Sequence, residues 1–156
     1  MGTETPTPDR IVQAALVSFA TKGYEATSLD AVAAALGIRK QTILYWFPSK
    51  EVLLEAVIDH AAAELSEALE RTLSRAGEGW ERVEAIVRSV FRLAARRPEL
   101  LGMLREMGRL GPPASSRLSE ALDPLLARAT GFLEEEMAAG RMRRNDPRVV
   151  LLAAYS

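Results

Sequence analysis

The stretch Thr27–Lys50, TSLDAVAAALGIRKQTILYWFPSK, decides the fold. Thr27 and Asp30 form a capping-box-like pair, so a helix opens there. Leu29, Val32, Ala33 and Leu36 recur at helical spacing and give that helix its inward face. Ala31, Ala33, Ala34 and Ala35 are small enough to let another helix approach closely. Gly37 makes a tight turn, Ile38 follows as an apolar plug, and a second helix runs from about Arg39 to Trp46. Pro48 breaks that helix and Ser49 caps the next. Two short helices about a glycine turn are a helix-turn-helix, which is mainly a DNA-reading device.

The second helix carries the chemistry. Lys40 and Gln41 sit near its start, where a recognition helix enters the major groove. Their side chains reach O6 and N7 of guanine, or N6 and N7 of adenine. Thr42 offers a hydroxyl to phosphate or a methyl to thymine, and Tyr45 and Trp46 lie one turn on, beside sugar and phosphate. Lys50 and Ser28, at the starts of flanking helices, are placed for phosphates. Arg39 adds a cation. Ile43, Leu44 and Phe47 read as packing. Arg39 or Trp46 taken singly reads as readily as a solvated or packed residue; the whole set at this spacing reads as a DNA-contacting surface.

Outward from this module every segment is helical. Thr7, Pro8 and Asp9 open a helix whose stripe is Ile11, Val12, Ala15, Leu16 and Phe19, and Gly23 ends it. Residues 1–6 are polar and are expected to be a disordered arm. A long helix is expected over about 50–75, then a breaker at Ala76-Gly77-Glu78-Gly79. Helices follow over about 80–97, 98–109 and 115–139, with Val83, Ile86, Val87, Val90, Phe91 and Ala94 inward on the first and a kink expected at Pro124. Asp146-Pro147 opens an eighth helix, which stops at Ser156 on an apolar run. Strand signals and internal repeats are lacking. The expected fold is all-α: a DNA-binding domain over 1–48 and a helical body over 49–156.

Composition agrees. The 156 residues carry a net charge of −1, yet Ile38–Lys50 holds three cations and no anion. A local basic patch on a near-neutral chain suits selective contact with DNA. Only Lys22, Lys40 and Lys50 are lysines; the other seventeen cations are arginines. There is no cysteine, no long uncharged apolar run and no secretion signal, so a cytoplasmic location is expected.

Residues Ile11 to Val57 resemble the DNA-binding domain of TetR-type transcriptional regulators. The resemblance rests on the Phe19–Gly23 helix end, the Thr27-Ser28 cap, the Gly37-Ile38 turn, Thr42, the Phe47-Pro48-Ser49-Lys50 junction and Leu53-Leu54. Two positions depart from the family pattern. Leu44 stands where the family usually has tyrosine, so the phosphate role of that tyrosine passes to Tyr45 or is lost. Gln41 stands where a small residue is common, and its amide adds a base contact. The resemblance implies a repressor that binds a palindromic double-stranded DNA operator as a homodimer and is released by a small effector held in the helical body. Phe91, Leu100, Met103, Leu104, Met107, Leu125 and Phe132 are the candidate lining of that pocket, and their character favours a hydrophobic effector. The family's last two helices build its dimer interface, so this chain is expected to be truncated in its eighth helix.

No enzyme constellation, cofactor motif or metal-ligand spacing appears. His60 stands alone, Arg96, Arg97 and Arg105 read as solvated helix faces though a carboxylate or phosphate ligand would suit them, and Glu134-Glu135-Glu136 reads as a solvated face. Two other functions stay open: a helix-turn-helix adaptor that contacts protein without DNA, and, less favoured, a small helical enzyme.

Overall fold

The computed structural model describes residues 8–75 and 77–143. They form seven helices: α1 Pro8–Lys22, α2 Leu29–Leu36, α3 Lys40–Trp46, α4 Lys50–Leu73, α5 Trp80–Arg96, α6 Pro98–Leu110 and α7 Ala114–Ala138. No strand occurs among the described residues. The all-α fold is as expected. The arm over 1–6 and the eighth helix lie outside the described residues.

One apolar core gathers Ile11, Leu16 and Phe19 of α1, Val32 of α2, Ile43 of α3, Leu53, Val57 and Ile58 of α4, and Leu100, Met103 and Met107 of α6. It therefore runs across the expected boundary at residue 48. The α6 backbone reaches α1 because residue 102 is glycine: a Cβ there would stand 2.9 Å from both the Cβ and the carbonyl oxygen of Ala20. A second, smaller cluster joins Phe132, Leu133 and Met137 of α7 to Val83 and Ile86 of α5. α4 is the common wall, packed on α1, α5 and α7.

Several expectations need correction. Val87, Val90 and Phe91 of α5 face solvent, Phe91 at 72% exposure. The apolar period of α5 is real, but no described helix covers that side. Arg97 is no solvated residue. It sits between α5 and α6, part-buried, donating to Glu64 of α4, to Glu99, and to Gln13 of α1 at 3.0 Å. Glu136 leaves the expected acidic face as well. It is buried and accepts from Arg141 at 2.7 and 2.9 Å.

Candidate nucleic-acid interface

The turn between α2 and α3 is built by hydrogen-bond geometry that only glycine accommodates freely. Gly37 sits at φ +66°, ψ 32°. Its N–H donates to the Ala34 carbonyl at 3.2 Å, and that of Ile38 to Ala33 at 3.0 Å. This paired closure satisfies the last carbonyls of α2 and aims α3 away from it. At the other end of α2 the cap is Ser28, whose Oγ accepts from the Ala31 N–H at 3.1 Å. Thr27, the expected cap, is buried at 2% exposure, and its hydroxyl donates to the Gly23 carbonyl at 2.8 Å. Both residues are able to cap; burial of position 27 against α1 decides between them.

α3 has two faces. Ile43 and Phe47 are buried, and Leu44 packs partly against the same core. The opposite side shows Gln41, Tyr45 at 78% exposure and Trp46 at 44%, the two rings meeting edge to face with centroids 5.1 Å apart. Thr42 is half-buried. Arg39 precedes the helix in extended conformation as its N-cap, exposed and without a side-chain cap bond, so α3 starts one residue later than expected. The position of the family's tyrosine, Leu44, is thus an anchor here, while Tyr45 projects outward.

Two cations of the set are held by partners. Lys40 Nζ lies 2.9 Å from Asp30 Oδ2, with the side chains 41% and 69% exposed. Exposed ion pairs contribute about 0–1 kcal/mol, so this pairing holds Lys40 only weakly. Lys50 Nζ stands 4.2 Å from the centre of the Tyr24 ring. That ring packs edge to face on Phe19 at 5.2 Å. Burial first, then the neighbouring Glu51, push the Tyr24 hydroxyl above its ordinary pKa. The Tyr24 N–H donates to Glu106 Oε1 of α6 at 2.6 Å. Tyr24, Asp30 and Glu106 are therefore parts of the site's support that sequence reasoning missed. Asp30 and Lys40 are ten residues apart with a turn between, and Tyr24 and Glu106 eighty-two, so no periodicity reports either pair.

The residues expected to line a ligand pocket do not gather in one cavity. Leu100, Met103 and Met107 are built into the core against α1, Phe132 belongs to the second cluster, Phe91 is exposed, and Leu104 and Leu125 are half-buried. The reason is that α6 turns its apolar face onto α1. Grooves open instead between α4 and α5, between the α1 end and α6, and between α4 and α7, the last including Phe132. Among the described residues no helix is long and apolar enough to cross a membrane, and no cluster of side chains is suited to hold a metal ion.

Comparison with known proteins accords with this geometry. Residues 11–57 match the bacterial regulatory proteins of the tetR family. The chain is 29% identical over 136 residues to the HTH-type transcriptional repressor DrrR1 of Streptomyces coeruleorubidus, covering 86% of this chain but only 48% of that protein. Among solved structures, the TetR family regulator PfmR of Thermus thermophilus superimposes with a TM-score of 0.75 at 28% identity, covering 92% of this chain and 81% of that one. The regulator FadR of Bacillus subtilis, solved in complex with stearoyl-CoA, shares the fold at a TM-score of 0.80 and 21% identity, with 92% and 78% covered. Residues 11–57 are thus a tetR-type domain, and over most of its length the chain is similar to regulators of the tetR family.

Proposed function

We propose that this protein is a cytoplasmic, DNA-binding transcriptional regulator, a repressor that acts as a homodimer on a palindromic operator and is released by a small hydrophobic effector. The observation that carries the reading is the division of α3: Ile43 and Phe47 fix the helix to the core while Lys40, Gln41, Tyr45 and Trp46 stand along its outer side. Lys40 and Gln41 are the base readers. Ser28, Thr42, Tyr45 and Lys50 take phosphates, with Arg39 and Trp46 flanking them. Ser28 suits the role because its oxygen accepts from Ala31, leaving the hydroxyl hydrogen to donate. Two copies of α3 on one DNA face need a separation of about 34 Å, and any effector must favour one spacing over another. The hydrophobic class of effector is supported by the apolar side chains left half-exposed on α5–α7 and by the stearoyl-CoA bound to the Bacillus subtilis neighbour.

Selection of double-stranded DNA from a random pool tests this directly. The expected product is a palindrome with half-sites about 10 base pairs apart. Lys40→Ala with Gln41→Ala removes two base contacts worth about 1–3 kcal/mol each, so affinity for the selected site falls tenfold or more while the fold is kept. If affinity and its salt dependence are unchanged in the double variant, the DNA-reading assignment is wrong and a protein-contact role for the module takes its place.

A further inference from the structure

The groove between α4 and α5 carries charge of one sign only. It encloses about 440 Å³ and is lined by Arg71, Arg75, Arg92 and Arg96, with Thr72 and Ser89 between them and Ala68, Ala85 and Leu93 as its apolar floor. Four guanidiniums meet no carboxylate in this lining. We propose that the groove is a binding site for the phosphate groups of a small anionic ligand.

Three features carry the assignment. The first is pairing. Many arginines elsewhere in the body are matched: Arg88 with Glu84, Arg97 with Glu64 and Glu99, Arg117 with Asp59, Arg128 with Glu70. In the groove Arg71 has a long, exposed contact with Glu67 at 3.5 Å, and Arg75, Arg92 and Arg96 have no ion pair among the described residues. Like charges gathered on two facing helices repel, and an anion between them reverses the sign of the interaction.

The second is spacing. Arg92 and Arg96 stand four apart on one face of α5, while Arg71 lies in the last turn of α4 and Arg75 follows two residues past its end. The Thr72 hydroxyl meets that of Ser89 at 2.7 Å and ties the two helices together. The third is chemistry. All four cations are arginine, whose planar fork of donors matches phosphate oxygens two at a time. The volume suits a small ligand rather than a macromolecule. The groove is separate from α3 and does not use the apolar side chains assigned to the effector, so neither reading depends on the other.

Inorganic pyrophosphate is the probe. Isothermal titration of the whole chain, in sodium chloride of matched ionic strength, is expected to give one site per chain with Kd below about 1 mM. Arg92→Gln with Arg96→Gln weakens it by roughly tenfold or more, and Arg92→Lys with Arg96→Lys weakens it less, because charge is kept and the fork is lost. Arg39→Gln with Lys40→Gln removes the same number of charges from the DNA-reading face and leaves binding unchanged. Circular dichroism and melting of each variant confirm that it is folded. Absence of binding to the native chain overturns the proposal. So does equal weakening by the two glutamine pairs, which marks diffuse charge attraction, or loss with the residue 39 and 40 pair alone, which places the site at α3.

Discussion

Glu106 shows how one side chain ties the DNA-reading module to the body. It is buried on α6, yet its carboxylate accepts from the Tyr24 N–H at 2.6 Å and from Arg109 Nε and Nη2 at 2.9 Å each. The Arg109 hydrogen bonds hold its pKa below the usual carboxylate range despite the opposing effect of burial, with the Tyr24 N–H and the Arg109 charge adding to the depression. A depressed folded pKa means that the unfolded chain takes up the proton more readily. The stabilisation is therefore complete above the unfolded glutamate value of about 4.3 and is lost as pH falls through the folded value. Urea midpoints measured from pH 6 down to pH 3 are expected to fall in the native chain and to fall less steeply in Glu106→Gln, which keeps an acceptor for Tyr24 but does not titrate. Parallel curves would show that Glu106 does not contribute. Its pairing with Arg109 is local, three residues on, but nothing in the local sequence marks its tie to Tyr24, which lies in the turn after α1 eighty-two positions away. Ser49, by contrast, was legible as a cap because its partner, the Val52 N–H at 3.2 Å, is three residues on.

At the scale of elements, Gly37 and Gly102 separate two reasons for glycine. Gly37 has open space where a Cβ would go but a left-handed φ of +66°, so Gly37→Ala costs about 1–2 kcal/mol of backbone strain at the turn. Gly102 lies within α6, where alanine is the better helix former, but its Cβ would meet the backbone oxygen of Ala20. Forcing α6 off α1 costs about 1–3 kcal/mol, more than the propensity gain of about 0.5–1 kcal/mol. Gly102→Ala is expected to lower the melting temperature, and a variant that melts above the native chain would show that the two helices are not in close contact. The role of Gly37 was readable from its place between two apolar helical patterns; that of Gly102 was not, because a glycine inside a helical pattern gives no hint of what passes beside it. α5 teaches the same limit from the other side. Its apolar period was correct, but a period identifies an apolar face without saying whether another helix covers it, and Val87, Val90 and Phe91 are exposed. Likewise the methionines of α6 were legible as inward-facing, while their commitment to the core rather than to a pocket depended on the crossing of α6 over α1.

The whole molecule has two apolar clusters of unequal size, and its two tryptophans report on them separately. The larger cluster draws on α1, α2, α3, the first half of α4 and α6, with Ala114 at the start of α7; the smaller has Phe132, Leu133 and Met137 as its buried members, set against α5. Three buried side chains do not sustain a fold alone, so the smaller cluster persists only while α4 and its neighbours are in place. Trp46 stands on α3, within the larger unit, and Trp80 opens α5, one turn before Val83 of the smaller one. Single-tryptophan chains, Trp80→Phe and Trp46→Phe, then give each unit its own fluorescence signal. Met107→Ala removes a fully buried side chain and costs about 2–5 kcal/mol. It should lower the urea midpoint seen by both tryptophans, because loss of the main core takes the second cluster with it. Phe132→Ala, which also removes the ring beneath the Arg82 guanidinium, 5.4 Å from its centre, should lower the Trp80 midpoint and leave that of Trp46 nearly unchanged. A Met107→Ala chain in which Trp80 alone keeps its native midpoint would mean that the second cluster folds independently. The helical body would then not transmit changes at α7 to α3 through a shared core, and any effector acting there would have to reach the DNA-reading helix through α4 alone.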